Sequence, residues 1–172
     1  SAVLTHHISP MVRAAAIDGL SSPRADVRSA SQIMLTRLAV SDLRFPLRDG
    51  DVKTLARSLN AHPHPGVVAV LAKDTSAAVN PVLAATLGSG DAGAVQMAYQ
   101  SLYDRDREEA FRALVGTLYG LKDTDSRAAL ALADMLRARH ALRDDGFYLT
   151  FARDLAQDSK MSVMGRMAGF DA

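Results

Sequence analysis

The sequence SPMVRAAAIDGLSSPRADVRSASQIMLTRL, residues 9–38, contains the same helical pattern twice. Residues 12–20 (VRAAAIDGL) and residues 27–35 (VRSASQIML) both follow the pattern Val-Arg-x-Ala-x-x-x-x-Leu. A Ser-Pro pair precedes each copy, and such a pair is typical of a helix start, because serine caps free amides and proline suits the first turn. A one-helix unit repeated in tandem predicts antiparallel helix hairpins stacked into an α-solenoid.

The composition of the chain favours helices over sheets. Of its 172 residues, 48% are hydrophobic, 23% are charged and only 5% are aromatic, with no tryptophan. Alanine and leucine dominate the apolar residues, whereas sheets prefer β-branched and aromatic side chains. There is no cysteine, which excludes disulfides, thiolate metal ligands and cysteine nucleophiles. We expect an all-α fold and one domain spanning residues 1–172.

Capping residues and apolar periodicity predict about nine to ten helices and no strand. The expected helix starts include Ser9, Ser22, Asp49 or Asp51, Thr75 or Ser76, Asp91, Asp104 or Asp106, and Asp125 or Ser126. The expected inward stripes are Val12, Ala15, Ala16 and Leu20; Val27, Ala30, Met34 and Leu38; Val52, Leu55 and Leu59; Val79, Leu83 and Leu87; Val95, Ala98 and Leu102; Ala110, Phe111, Leu114, Val115, Leu118 and Leu121; Leu130, Ala133 and Leu136; and Met164 and Met167.

The doubled pattern at residues 9–38 resembles the second helix of HEAT or HEAT-like repeats, in which a capped turn leads into Val-Arg and a small residue. This resemblance implies a right-handed stack of helix pairs used as a scaffold, and it implies no active site. The helices after Asp91 keep the hairpin rhythm without Val-Arg. A tetratricopeptide-type array is the alternative there, but its tryptophan and spaced Leu-Gly-Tyr signature is missing, so an irregular HEAT-like array is favoured.

Residue patterns for catalysis or metal binding are weak. Four of the histidines lie in turns, at His6, His7, His62 and His64, and the expected role is that of exposed turn residues rather than zinc ligands. Paired acidic residues fall at helix starts, where capping explains them. The chain contains no phosphate-binding loop, no nucleophile elbow and no His-Glu-x-x-His motif. We therefore expect a protein that is not an enzyme and needs no metal or other cofactor.

The arginines of the first 60 residues form the first candidate binding set. That segment carries eight Lys or Arg against five Asp or Glu. The candidates are Arg13, Arg24, Arg28, Arg37, Arg44 and Arg48, joined by Lys53 and Arg57. The favoured role is structural, with aliphatic stems covering apolar surface and guanidinium groups pairing with acids. The alternative is a basic face for phosphates or an acidic partner. HEAT-like DNA glycosylases use such a face, but the absence of tryptophan argues against that activity.

Tyr99 and Tyr103 form the second candidate set, at the edge of a predicted apolar stripe. Boundary tyrosines are the favoured interpretation, and a partner-binding edge is the alternative. The function expected overall is a scaffold or adaptor that binds another protein, or the rest of a larger parent chain, through its groove or edge. A nucleic-acid-associated module is the second hypothesis. The first residue, Ser1, suggests a trimmed chain, an excised domain or a processed mature form. The cytoplasm is the expected location, with the periplasm or a secreted form as alternatives.

Overall fold

The computed structural model describes residues 10–40, 47–122, 127, 130–135, 150, 153–154 and 156–171. Every regular element in these ranges is helical, which confirms the predicted all-α class for them. The bounded elements are α1 (Pro10–Gly19), α2 (Ala25–Val40), α3 (Asp49–Ala61), α4 (Pro65–Lys73), a 3-10 turn (Ala77–Val79), α5 (Asn80–Thr86), α6 (Ala92–Arg105), α7 (Arg107–Gly120) and α8 (Val163–Asp171). Residues 130–135 are also helical.

Internal contacts divide the chain into two compact units, residues 1–82 and 83–172, with the division inside α5. In the first unit, α1 packs on α2 and α3 packs on α4, while α1 also contacts α3 and α2 contacts α4. In the second unit, α7 packs on both α6 and α8. The single domain expected from chain length stays a prediction.

The buried faces of α1 and α2 differ from the predicted stripes. Ala16 and Leu20 are buried as expected, but Val12 is 38% exposed, and the core receives Ile17 at 1% exposure. Ala15 also lies outside the core. Compared with the prediction, α1 is rotated about its axis by one residue, or about 100°. This rotation places Ile17 on the inner face in place of Val12 and Ala15. The larger side chain removes more apolar area from water, which explains the observed register.

The second copy of the repeat shows the same displacement. Its buried residues are Ser31, Leu35 and Ala39, whereas the predicted Ala30 and Met34 are exposed and Val27 and Leu38 are half-buried. Small residues bring the two helices together, because a Cβ on Gly19 would overlap Ser31 Oγ. Leu20 and Leu35, the equivalent leucines of the two copies, are both in the core.

Helix α3 buries the predicted stripe, but its N-cap is Arg48 rather than Asp49 or Asp51. Val52, Leu55 and Leu59 are buried on α3. The helix starts after Arg48, whose backbone N–H donates to Asp51 Oδ2 at 3.0 Å, and it ends before His62-Pro63, where proline disfavours helical geometry in the preceding residue. Helix α4 begins at Pro65, and Gly66 lies so near α2 that an added Cβ would overlap Thr36.

The second unit confirms most of the predicted stripes. Val95, Ala98 and Leu102 are buried on α6, and Leu114 and Leu118 are buried on α7. Two aspartates cap these helices: Asp91 Oδ1 accepts the Ala94 N–H at 2.7 Å, and Asp106 Oδ1 accepts the Glu108 and Glu109 N–H groups at 2.9 and 3.0 Å. Leu83 and Leu87 are also fully buried, as expected, and so is Val79 of the same predicted stripe, which belongs to the first unit.

Two predicted core positions in the last third of the chain are wrong. Leu130 is 59% exposed and Met167 is 48% exposed, while Met164 is half-buried. The predicted Ala133 is buried, together with Ala131, Leu132 and Met135. On α8 the close contact is made by Gly165, where an added Cβ would lie 2.9 Å from the Leu118 carbonyl oxygen. The predicted helix start at Asp125 or Ser126 and the core position Leu136 lie outside the described residues.

Candidate functional site

Arg24 forms an ion pair with Asp26 at the start of α2. Its Nε and Nη2 donate to Asp26 Oδ1 and Oδ2 at 3.1 and 2.5 Å, and both side chains are largely exposed. This hydrogen bond lowers the pKa of Asp26 below its ordinary value of 3.8. An exposed pair of this kind contributes little to stability, but it partly neutralises one guanidinium of the predicted basic face.

Arg28 holds the turn between α1 and α2. Its Nη1 donates to the carbonyl oxygens of Ser22 and Pro23, each at 2.8 Å, and the side chain is half-buried. Arg13, at the equivalent place in the first copy, is also half-buried. Both side chains are therefore partly covered by the protein, and Arg28 is bound to backbone carbonyls rather than to an acidic residue.

The other predicted arginines are placed differently. Arg37 is exposed in the last turn of α2, and Arg48 is exposed at the start of α3. Arg44 lies outside the described residues. Of the predicted arginines that the structure describes, Arg28 and Arg57 line one cleft in the first unit.

An open cleft of about 290 Å³ lies between the α1–α2 turn and the end of α3. Arg28, Arg57 and His62 line it together with three serines, Ser21, Ser22 and Ser58. The sequence predicts Arg57 as part of the basic N-terminal segment, and it predicts His62 as an exposed turn residue rather than a zinc ligand. These residues line one cleft because α1 packs on α3, and a local sequence pattern cannot predict such a tertiary contact.

The two candidate tyrosines have separate roles. Tyr99 is 1% exposed and belongs to the core of its unit, rather than to the edge of the stripe. Tyr103 is half-buried, with its ring centre 6.1 Å from that of Tyr99, and Arg107 Cζ lies 5.0 Å from the Tyr103 ring centre. Arg107 thus makes a cation–π contact with Tyr103, and of the two rings only that of Tyr103 is accessible to a partner.

A group of exposed apolar side chains on α1 and α2 was missed by the sequence analysis. Five of the nine large exposed apolar residues in the described ranges lie on these two packed helices. They are Met11 (78% exposed), Val12 (38%), Ile33 (54%), Met34 (37%) and Val40 (83%), here called the α1–α2 apolar set. The sequence pattern places Val12 and Met34 in the core, whereas in the structure they are 38% and 37% exposed.

Histidines serve in turns where the structure describes them. His64 caps α4, since its Nδ1 accepts the Gly66 N–H at 3.0 Å, and His62 is exposed at the end of α3. His6 and His7 lie outside the described residues. Within the described ranges no three His, Cys, Asp or Glu side chains are grouped as metal ligands would be.

None of the helices that the structure describes is both long and apolar enough to span a membrane. No family model matches the chain, and neither curated proteins nor solved structures show a significant similarity to it. Its function is therefore inferred from its own surfaces, above all from the α1–α2 apolar set and from the cleft at the α1–α2 turn.

Proposed function

We propose that this protein is a HEAT-like helix-pair scaffold, without catalytic activity, that binds a helical segment of a protein partner through the α1–α2 apolar set. The helix contacts of the first unit support the architecture. Pairing of α1 with α2 and of α3 with α4, together with contacts of α1 with α3 and of α2 with α4, is the pattern expected of two stacked hairpins. We extend this to a right-handed solenoid as part of the proposal.

The observation that carries the binding proposal is the exposure of the α1–α2 apolar set. Single exposed apolar residues are ordinary on protein surfaces, whereas a concentration on two adjoining helices is typical of interaction sites. Ile33 and Val40 are exposed and seven positions apart, so they lie two turns apart on the same side of α2. That side is opposite the buried Leu35, which itself faces the core.

A helix is the occupant that fits this surface best. Side chains spaced by one or two helical turns form a ridge that an amphipathic helix matches with its own apolar stripe. Stacked helix pairs also bury their apolar faces against further helices, so the same surface suits a neighbouring helix pair. Methionine, present at Met11 and Met34, adapts its shape and is enriched at protein interfaces.

The nucleic-acid alternative has less support. It needs several guanidinium groups free to contact phosphates. Arg24 is paired with Asp26, and Arg28 donates to two backbone carbonyls, so two of the predicted contacts are already engaged. Arg37 and Arg48 are exposed, and the alternative stays a prediction that the same experiment tests.

The test is affinity capture by the full chain from a lysate of its host, with low-salt and high-salt washes and identification of bound protein and nucleic acid. Three forms are compared: the wild type, Ile33→Asp and Leu130→Asp. Ile33 and Leu130 are matched controls, because both are exposed helical aliphatic residues at 54% and 59% exposure. Circular dichroism establishes that all three forms are folded.

We expect one protein to be retained at high salt by the wild type and by Leu130→Asp, and lost with Ile33→Asp. An apolar contact resists salt, and a buried unpaired carboxylate is strongly unfavourable. Equal capture by all three forms contradicts the proposal. The nucleic-acid alternative is supported instead if bound nucleic acid elutes as the salt concentration rises and is not captured when Arg24 and Arg37 are changed to Glu.

A further inference from the structure

We propose that the cleft between the α1–α2 turn and the end of α3 binds a tetrahedral oxyanion of the phosphate-monoester class. This site is distinct from the α1–α2 apolar set, and the proposal does not depend on the protein-binding function. It depends on the positions of Arg28, Arg57 and His62 around one concave surface.

The side chains lining the cleft match an oxyanion in charge and in hydrogen-bonding groups. Arg28, Arg57 and His62 line it together with Ser21, Ser22, Ser58, Leu20 and Ala61, and no acidic residue is among the described residues that do so. Guanidinium presents several N–H donors in a planar fork that fits phosphate oxygens, and serine hydroxyls supply further donors. Arg57 is exposed on α3 and has no hydrogen bond or ion pair to another described residue.

Arg28 is held in place before any ligand arrives. Its Nη1 donates to the Ser22 and Pro23 carbonyl oxygens at 2.8 Å each, which leaves Nη2 and Nε for another acceptor. These two bonds also occupy carbonyl oxygens that would otherwise repel an anion at this turn. A donor with fixed orientation loses less conformational entropy on binding than a mobile one.

The helix ends around the cleft oppose an anion, but their effect is smaller than that of the arginines. The cleft lies at the carboxyl ends of α1 and α3, and each helix end carries roughly half an elementary negative charge. Together they amount to about one negative charge, against two full positive charges on Arg28 and Arg57. The α1 end is further offset because Gly19 O and Asp18 O already accept the Ser22 and Ser21 N–H groups.

The experiment is a titration of the isotopically labelled full chain with inorganic phosphate, followed by amide and arginine Nε–H NMR signals. Sodium chloride at matched ionic strength is the reference. Arg57→Gln tests the site, and Lys53→Gln is the matched control, since Lys53 is also exposed on α3 but does not line the cleft. The two variants lose the same charge from the same helix, and melting curves show whether each remains folded.

We expect saturable shifts confined to Ser21, Ser22, the Arg28 side chain and His62. Loss of one charge-assisted contact weakens binding by about tenfold in Arg57→Gln, while Lys53→Gln stays within about twofold of the wild type. Shifts that do not saturate, that chloride reproduces, or that decrease equally in both variants overturn the proposal.

A second titration separates the two sources of such a group. O-phosphoserine within a short neutral peptide is compared with the unphosphorylated peptide and with inorganic phosphate. Tighter binding of the phosphorylated peptide identifies a phosphorylated side chain as the natural ligand, and equal affinity identifies free phosphate. Equal binding of both peptides, with no response to phosphate, contradicts an oxyanion site.

Discussion

The buried carboxylate of Asp74 accepts the backbone N–H of Leu47, 27 positions earlier in the chain, at 2.8 Å. Its second oxygen accepts the Ser76 N–H at 2.7 Å. One side chain therefore joins the residues before α3 to the turn after α4, and so fixes the entry and exit of this hairpin.

Replacing Asp74 by alanine leaves two backbone N–H groups without their acceptor. We expect Asp74→Ala to lower the free energy of unfolding by about 1–3 kcal/mol, the usual cost of an unsatisfied buried polar group. Asp18→Ala, at an exposed site on α1, is expected to change it by less than about 0.5 kcal/mol. Urea denaturation measures both, and equal effects would show that the Asp74 bonds do not stabilise the hairpin.

The contact of Gly66 with Thr36 tests the packing of α4 on α2. An alanine Cβ at Gly66 would overlap Thr36 Oγ1 and lie 3.0 Å from Thr36 Cβ, so we expect Gly66→Ala to destabilise the protein by about 1–3 kcal/mol. In a Thr36→Ala background the loss should be smaller, because the overlapping hydroxyl is gone. A double-mutant cycle measures this coupling.

Gly116 supplies the control for that substitution. It lies within α7, and an added Cβ would have no atom within 4 Å. Gly116→Ala should therefore stabilise the protein by up to about 1 kcal/mol, the difference in helix propensity between the two residues. A similar gain at Gly66 would contradict the close approach of α2 and α4.

The observed register of α1 gives opposite roles to neighbouring apolar residues. Ile17 is 1% exposed and Val12 is 38% exposed. We expect Ile17→Ala to cost about 2–5 kcal/mol of unfolding free energy, and Val12→Ala to cost less than about 0.5 kcal/mol. Thermal and urea unfolding measure both losses of stability. A larger loss for Val12→Ala than for Ile17→Ala would contradict the observed register and support the stripe predicted from the sequence.

Tyr119 and Asp158 form a pH-dependent contact between α7 and the segment before α8. The Tyr119 hydroxyl donates to Asp158 Oδ2, which raises the pKa of Tyr119 above its ordinary value of 10.0 and lowers the pKa of Asp158 below its ordinary value of 3.8. A lowered carboxyl pKa stabilises the fold above 3.8, and this contribution is lost as the pH falls through the lowered pKa. A raised tyrosine pKa stabilises it below 10.0, and this contribution is lost as the pH rises through the raised pKa.

We expect Asp158→Asn to bring the pKa of Tyr119 back toward 10.0 in a spectroscopic titration of the tyrosines. The stability difference between wild type and Asp158→Asn should be largest between pH 3.8 and 10.0 and should shrink on both sides. Asp154→Asn removes a nearby exposed carboxyl that pairs with Arg153. A shift of the Tyr119 pKa in that variant instead would assign the effect to general charge rather than to the hydrogen bond.

Local signals in the sequence predicted helices and caps well. Asp91 and Asp106 cap α6 and α7, and prolines delimit α3 and α4, because these effects act within a few residues. The register of α1 and α2 was not predicted, since valine, alanine and isoleucine on adjoining faces give similar periodic patterns. Only the packing of one helix on the other selects the face that is buried.

The candidate surfaces required tertiary structure. Arg28 on α2 and Arg57 on α3 are far apart in sequence and line the same cleft, so composition indicated a basic segment without indicating a cleft. The α1–α2 apolar set became visible only when Val12 and Met34 proved to be exposed. In both cases the residue types are evident in the sequence, but their arrangement depends on tertiary contacts that no local pattern encodes.

The most direct test of the protein-binding proposal is site-specific photo-crosslinking in host cells, with a photoreactive amino acid placed at Ile33 or at Leu130. Our account predicts a discrete crosslinked protein from position 33, absent from position 130, and competed away by excess unlabelled wild type but not by excess Ile33→Asp. Crosslinks of equal intensity from both positions, or none from position 33, would contradict it.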